Sequence, residues 1–224
     1  ATNLIGLIYQ PKKVYIDLAT WGTLPIKQVS NGLAETIKHA CMADIKFFEF
    51  LEEHIAQLLT NEGVTEKQKE ICTHIAEMNC KIKYEVVKLD EREANLRQIL
   101  NLGHTVGRAI ETLSDYTLLH GEAVAIGMAS QVRIGQKLGY ISEKEADRVI
   151  VLYEKTGLST HIPAHITTQE LVSKLYTDKK VRKGKIRFVF QEGIGKIKQY
   201  DDGNYSIALE ETFISEAIEE MRNK

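Results

Sequence analysis

The chain has 224 residues, enough for one large domain or two small ones, and its 29 basic and 31 acidic side chains give a formal net charge of −2. This near-balance argues against a scaffold for nucleic acid or an acidic membrane, and a hydrophobic content of 43% argues against disorder. No apolar run reaches the length of a membrane-spanning helix, about 18–20 residues. The cysteines (Cys41, Cys72 and Cys80) are odd in number and lack C-x-x-C spacing, which favours a reducing, cytoplasmic compartment over a disulfide framework.

The first 25 residues differ from the rest. Val14, Tyr15 and Ile16 form a short β-branched and aromatic run, which predicts a strand or an extended arm. So short a strand cannot bury both faces alone, and we expect it to belong to a sheet elsewhere. We therefore predict that residues 1–25 are an arm at the boundary with a nucleotide-binding domain, and that residues 26–224 form one α-helical domain.

Helical periodicity dominates after Pro25, and no further proline occurs before Pro163. Apolar spacing predicts six helices, which cover Ile26–Cys41, Ile45–Leu58, Ile71–Val86, Asn101–Leu113, His120–Leu138 and Glu210–Arg222. Capping boxes predict two more helix starts, at Ser142/Glu145 and Thr167/Glu170. Residues 186–190 and 197–200 flank two glycines and predict a small hairpin. The expected fold is mainly α, a multi-helix domain with a short N-terminal strand and a small β-hairpin.

The segment 100–111 carries a polar stripe on an otherwise apolar helix. Residues at i+3 and i+4 spacing share this face: Asn101, His104, Arg108 and Glu111. Such a stripe needs partners if it is buried, and an exposed polar face is the alternative. Gly103 and Gly107 each cost about 1 kcal/mol of helix propensity. They indicate a close approach by a neighbouring backbone or a ligand.

Two further segments carry candidate ligands. His120 begins a helix of small and apolar residues, which predicts a central, buried position. The positive end of the helix dipole favours the neutral imidazole that a metal needs, while a capping histidine is the alternative. Glu35 and Lys38 lie on the polar side of another helix, where an i, i+3 pair is ordinarily a solvated surface pair.

Together, Glu35, His104 and His120 have the composition of a two-histidine, one-carboxylate zinc site, a type that keeps a coordination position open. The three come from separate helices, and no helical H-E-x-x-H motif occurs. Candidate anion-binding cations are Lys38, Lys83, Arg97, Arg108 and the Lys179-Lys180 pair. Cations clustered beside one metal indicate a substrate with carboxylate and phosphate groups. Ordinary surface charge is the alternative for each of them.

A series of motifs resembles the C-terminal domain of 3-dehydroquinate synthase, the second enzyme of the shikimate pathway. In the order of that family, the motifs are Asn3-Leu-Ile-Gly6 with Gln10-Pro11-Lys12, Thr23-Leu24-Pro25, Gly32-x-Ala34-Glu35-x-x-Lys38, Asp90-Glu-Arg-Glu-x-x-x-Arg97, Leu100-Asn-x-Gly-His-Thr-x-Gly107, His120-Gly-Glu-Ala-Val-x-x-Gly-Met128 and Asp178-Lys179-Lys180.

The resemblance implies that Glu35, His104 and His120 hold zinc or cobalt. It implies catalytic roles for Lys38, Lys83 and Asn101, and substrate contacts from Asn3, Lys38, Lys83, Arg97, Asn101, Lys179 and Lys180. The implied reaction converts 3-deoxy-D-arabino-heptulosonate 7-phosphate to 3-dehydroquinate and phosphate. It runs through transient oxidation by bound NAD, phosphate elimination, re-reduction, ring opening and aldol closure.

The chain departs from the family pattern at two positions. Arg108 stands where the family commonly has a second histidine, and Thr2 stands where it usually has lysine. Arginine binds phosphate well but does not shuttle protons, so we predict that Arg108 contacts phosphate. The family binds NAD in an N-terminal α/β domain, and no G-x-G-x-x-G motif occurs in these residues. We therefore expect NAD to bind a domain outside this chain and the isolated chain to be inactive.

Three other functions stay open at this point. They are a related sugar-phosphate cyclase with a different product, a metal-dependent polyol dehydrogenase, and a non-catalytic helical binding module. The anion-binding cations argue against the dehydrogenase, because simple alcohols need no anion clamp. The resemblance also suggests a homodimer.

Overall fold

The structure is a computed structural model and describes residues 9–59, 65–176 and 185–222. The α-helices in these ranges are α1 (Ile26–Ala43), α2 (Ile45–His54), α3 (Glu66–Leu89), α4 (His104–Leu113), α5 (His120–Lys137), α6 (Glu143–Lys155), α7 (Thr168–Tyr176) and α8 (Glu211–Arg222). Short 3-10 helices span Leu18–Thr23, Ile55–Leu58 and Leu96–Asn101. An antiparallel ribbon pairs β1 (Arg187–Phe188) with β2 (Ile207–Ala208). The predicted mainly α class is confirmed.

Helix α5 lies at the centre of the fold. It contacts α1, α4, α6 and α8, and every residue from Ala123 to Val132 is buried. Its side chains enter two hydrophobic clusters: Val124 belongs to the one that includes residues of α1, α2 and α3, and Ile126 to the one that includes residues of α4, α7 and α8. The predicted central helix is therefore confirmed. Its first residue, His120, is held in place against both α1 and α4.

Helices α4 and α5 approach each other at backbone distance. A Cβ atom on Gly127 would lie 2.1 Å from the Gly103 carbonyl oxygen and 2.6 Å from the Gly107 nitrogen. The close approach expected around Gly103 and Gly107 is thus confirmed. The predicted helix start at Asn101 is wrong, because Gly103 has a left-handed φ of 75° and α4 begins only at His104.

The two predicted β elements differ from the structure. Val14, Tyr15 and Ile16 are exposed and lie outside the strands of the described residues, so no strand forms there within the described part of the chain, and an extended arm that pairs elsewhere stays a prediction. A strand this short needs a partner edge, and the described residues supply none to it. The predicted hairpin across Gly193 and Gly195 forms in part. Its two sides pair through the Gln191–Ile197 bridge and the hydrogen bond from Lys198 N to the Phe190 carbonyl oxygen, while the rest of the first side, β1, pairs with β2.

The predicted helix starts follow their capping boxes. In each, a hydroxyl accepts the N3 backbone N–H while the N3 glutamate accepts the N-cap N–H: Ser142 with Glu145, and Thr167 with Glu170. Helix α2 ends at His54 and continues as a 3-10 turn instead of reaching Leu58 as one α-helix. Among the described residues, no helix combines the length and the apolar character needed to cross a bilayer.

Candidate metal centre

Glu35, His104 and His120 meet at one point although they come from three helices. Glu35 Oε1 on α1 lies 3.2 Å from Nε2 of His104 on α4 and 3.4 Å from Nε2 of His120 on α5. One ligand-type atom from each residue lies within 4.8 Å of the other two. The two imidazole rings stand edge to face with centroids 5.3 Å apart. The packing of α1, α4 and α5 therefore brings the three predicted ligands together.

The Nδ1 atom of each histidine ring faces a group that can only accept a hydrogen bond. His104 Nδ1 lies 3.1 Å from the carbonyl oxygen of Leu102, and His120 Nδ1 lies 3.4 Å from Glu111 Oε2. Nε2 of each ring also faces an acceptor, the Glu35 carboxylate, so a neutral ring with its proton on Nδ1 would direct an Nε2 lone pair at that carboxylate. Three acceptor atoms at these distances repel one another unless a proton or a cation lies between them.

The spacing of these atoms fits a small tetrahedral metal ion. Zinc–nitrogen and zinc–oxygen bonds of about 2.1 Å at a tetrahedral angle separate the donor atoms by about 3.4 Å. The observed carboxylate–imidazole separations are 3.2 and 3.4 Å. A set of two imidazoles and one carboxylate also matches the donor preference of zinc and leaves one position of a tetrahedron open.

The first turn of α5 is tied directly to α1. Asn31 Oδ1 accepts the Gly121 backbone N–H at 2.5 Å, and a Cβ atom on Gly121 would lie only 2.1 Å from the Asn31 carbonyl oxygen. Asn31 is one helical turn before Glu35 on α1, and Gly121 directly follows His120. This contact therefore sets the separation between the Glu35 carboxylate and the His120 ring.

Lys38 is buried beside the cluster, so the surface-pair interpretation of Glu35 and Lys38 is wrong. Its side chain is 4% exposed, and its Nζ lies 2.6 Å from Glu35 Oε2 and 3.0 Å from the Leu100 carbonyl oxygen. Burial lowers the pKa of Lys38, and the positive charges of Lys83 and Arg108 lower it further, while Glu35 opposes the shift. The site thus holds an ammonium group shielded from solvent.

The other ionisable groups of the cluster respond to the same contacts. Burial alone would raise the pKa of Glu35, but its polar contacts with His104 and His120 and the charge of Lys38 hold it far below its ordinary value. Burial lowers the pKa of His104, whereas the bond to Glu35 raises the pKa of His120. Glu35 is therefore an anion at neutral pH, as a metal-ligating carboxylate must be.

Lys83 and Arg108 are two cations whose charges lower the pKa of Lys38. Both side chains are exposed, and both act on the Lys38 ammonium. Two side-chain contacts join α1 to α3 near Lys83. His39 Nδ1 lies 2.8 Å from Asn79 Oδ1, and Asn79 Nδ2 donates to Thr36 Oγ1 at 2.9 Å. Asn79 is one helical turn before Lys83 on α3. These contacts therefore fix the position of Lys83 along the axis of α3 relative to Lys38 on α1.

Arg97 and Asn101 lie on the segment that leads to His104. Asp90 holds its start, because its carboxylate accepts backbone N–H groups from Ala94, Asn95 and Arg97 at 2.7–2.9 Å. Arg97 Nη1 donates to the Glu91 carbonyl oxygen at 2.8 Å, and the described contacts do not join Arg97 to the three candidate ligands. Asn101 Nδ2 lies 3.5 Å from Glu93 Oε1. Asn3, Lys179 and Lys180 lie outside the described residues.

Two carboxylates near the site had no role assigned from the sequence. Glu111 contacts His120, and its position on the polar stripe was the signal available. Glu93 has a left-handed φ of 57°, a strained conformation for a residue other than glycine, and its side chain reaches Asn101. Nothing in its sequence context indicates that strain.

The chain is similar to one family and to several characterised proteins. Residues 32–181 match the family model described as 3-dehydroquinate synthase C-terminal. The 3-dehydroquinate synthase of Caldanaerobacter subterraneus subsp. tengcongensis is 43% identical over 196 residues, which cover 87% of this chain and 53% of that enzyme. The chain therefore spans about half the length of the curated relatives that it matches.

Solved structures with this fold include two synthases. A 2-deoxy-scyllo-inosose synthase, complexed with carbaglucose-6-phosphate, NAD+ and Co2+, superposes with a TM-score of 0.82 at 25% identity over 98% of this chain and 58% of that one. The 2-epi-5-epi-valiolone synthase of Streptomyces hygroscopicus subsp. jinggangensis, with NAD+ and Zn2+ bound, gives a TM-score of 0.77 at 25% identity. It is covered over 54% of its length, and this chain over 92%.

Proposed function

The chain belongs to the family of 3-dehydroquinate synthase C-terminal domains, and from this premise we propose that it is the metal- and substrate-binding part of a 3-dehydroquinate synthase. The proposed reaction converts 3-deoxy-D-arabino-heptulosonate 7-phosphate to 3-dehydroquinate and phosphate in the shikimate pathway. The observation that carries the proposal is the convergence of Glu35 Oε1 with the Nε2 atoms of His104 and His120, beside the buried Lys38 ammonium.

In this proposal Glu35, His104 and His120 hold zinc or cobalt. When bound, such an ion acts as a Lewis acid that polarises an oxygen of the substrate. The residues fit this role because the carboxylate–imidazole separations match tetrahedral spacing and the Nδ1 atom of each histidine faces its own hydrogen-bond acceptor. The relatives with Zn2+ or Co2+ in their structures have the same fold, which supports the choice of metal.

The remaining residues bind and orient an anionic substrate. Lys38 presents a desolvated ammonium next to the ligand cluster, where a hydrogen bond to substrate oxygen is strong because water is excluded. Lys83 adds a positive charge near enough to act on Lys38, and Asn101 directly follows Leu100, whose carbonyl oxygen contacts Lys38. We assign catalytic roles to Lys38, Lys83 and Asn101, and substrate contacts to Arg97, Asn3, Lys179 and Lys180, on the strength of the family motifs.

Arg108 is proposed to contact the substrate phosphate. Its exposed guanidinium lies one helical turn after His104 and acts on the Lys38 ammonium. In the full-length protein, Arg108→Gln is expected to raise KM about tenfold or more, since a hydrogen bond to a charged group is worth about 1.5–3 kcal/mol. Steady-state kinetics with the heptulosonate phosphate measure this change. An unchanged KM at parental metal content would exclude the phosphate contact.

NAD is proposed to bind a second domain outside these 224 residues, because the chain spans about half of its curated relatives and lacks a glycine-rich dinucleotide motif. Residues 1–25 would then be the arm that leads from that domain into residues 26–224. The homodimer and the cytoplasmic location stay predictions, which light scattering and cell fractionation of the full-length protein can test.

Product analysis tests the proposed function. Incubation of the full-length protein with the heptulosonate phosphate, NAD and Zn2+ or Co2+ should release one phosphate for each 3-dehydroquinate formed. A different cyclic product would assign the chain to another sugar-phosphate cyclase, an alternative favoured by the two structural relatives. Turnover by this chain alone with added NAD would refute the second-domain proposal.

A further inference from the structure

His120 is the one candidate ligand whose ring lies between two carboxylates among the described contacts. Nε2 lies 3.4 Å from Glu35 Oε1, and Nδ1 lies 3.4 Å from Glu111 Oε2. Glu111 is 22% exposed in its side chain and sits at the outer end of the polar face of α4. It is not a member of the three-residue ligand cluster found in the described part of the chain.

We propose that Glu111 is a positioning residue that sets the tautomer and orientation of His120 for metal binding. This inference rests on the proposed metal centre. The Glu111 carboxylate accepts the Nδ1 proton and so leaves the Nε2 lone pair directed toward Glu35. A carboxylate behind a ligating imidazole also increases the basicity of that imidazole and thereby strengthens its bond to the metal.

His120 needs such a partner more than His104 does. The side chain of His104 is 8% exposed and is held by packing and by the Leu102 carbonyl, whereas that of His120 is 45% exposed. A half-exposed imidazole at the first position of a helix samples several rotamers unless a hydrogen bond selects one. Glu111 supplies that bond from the neighbouring helix.

Helix α4 then places two of the three ligands. It carries His104 itself and, two turns later on the same face, the carboxylate that orients His120. Because α4 packs against α5 at backbone distance through Gly107 and Gly127, the separation of Glu111 from His120 is set by rigid elements. A shift of α4 would therefore disturb both imidazoles together.

Cobalt titration of the 224-residue chain tests this role, with the visible absorption of Co2+ reporting both affinity and ligand geometry. Glu111→Ala is expected to weaken Co2+ binding about 10–100-fold and to change the spectrum. Losses of this size are typical when a residue that hydrogen-bonds a metal ligand is removed. Glu111→Gln keeps an oxygen that accepts the Nδ1 proton and should restore the parental spectrum and most of the affinity. Glu216→Gln, at an exposed position of α8, removes the same charge away from the site and should change neither.

The outcomes separate this inference from the metal-centre proposal. Parental Co2+ affinity and spectrum in Glu111→Ala would overturn the positioning role while leaving the metal centre intact. Failure of the parent chain to bind Co2+ would overturn both. Thermal unfolding of the metal-free variants checks that each is folded, and Glu111→Leu replaces the alanine variant if that chain does not fold.

Discussion

The His104→Ala chain is expected to lose Co2+ and Zn2+ binding. The substitution removes one of the three proposed ligands and leaves Glu35 and His120 to hold the ion alone. The loss of metal affinity should exceed the 10–100-fold that is typical when a residue that hydrogen-bonds a metal ligand is removed. At a metal concentration about 100 times its own dissociation constant, the parent should gain about 2.7 kcal/mol in free energy of unfolding, and the variant should gain less than about 0.4 kcal/mol at that concentration. Calorimetric titration and urea unfolding with and without metal measure the two effects.

His165→Ala is the matched control for this experiment. His165 is exposed, lies before α7 and is not a member of the ligand cluster. Its replacement should leave both metal affinity and the metal-dependent stabilisation at parental values. Equal metal binding by the parent and His104→Ala would show that the ion is held elsewhere, and the non-catalytic binding module would then be the better account of the chain.

Gly127→Ala is expected to be the most destabilising single methyl addition in the α4–α5 contact. The added Cβ would lie 2.1 Å from the Gly103 carbonyl oxygen and 2.6 Å from the Gly107 nitrogen, and neither backbone atom can rotate away. Overpacking ordinarily costs about 1–3 kcal/mol, and a clash with backbone atoms should place this variant at or above about 3 kcal/mol. Because Gly103 and Gly107 flank the first turn of α4, metal affinity should fall as well.

Gly32→Ala is expected to stabilise the chain, whereas Gly127→Ala is expected to destabilise it. Gly32 lies inside α1 and is exposed, and apart from its own helix and chain neighbours no atom lies within 4 Å of where an added methyl group would stand. Alanine there should raise the free energy of unfolding by about 0.5–1 kcal/mol, because it removes the entropy cost of a glycine in a helix. The urea concentration at the midpoint of unfolding compares the stability of the two variants when the slope of the unfolding free energy against urea concentration is the same. A Gly127→Ala chain that unfolds at the parental midpoint would contradict the close packing of α4 and α5.

The sequence allowed the helices and the ligand set to be predicted, because both depend on local signals. Apolar spacing marked α5 as central, and capping boxes marked the starts of α6 and α7. Glu35, His104 and His120 were predicted together from their chemistry and from the family motifs. Their spacing in the chain alone could not show that they meet, since three separate helices carry them.

Tertiary packing decided what the local signals could not. Lys38 has the i, i+3 relation to Glu35 of a surface pair, but the fold buries its side chain and places the Leu100 carbonyl oxygen 3.0 Å from its Nζ. The strand predicted at Val14–Ile16 depends on a partner edge, which the sequence of a short run does not specify. The role of Glu111 depends on the position of α4 against α5, so its place on the polar stripe gave no indication of its partner.

The most direct test of the metal centre is a crystal structure of the chain with Co2+, with anomalous scattering measured at the cobalt edge. One strong peak is predicted within about 2.0–2.2 Å of a Glu35 carboxylate oxygen and of Nε2 of His104 and His120. His120 Nδ1 should still face Glu111 in that structure. A peak held by other residues, or a fully soaked crystal with no peak between these three side chains, would contradict the account.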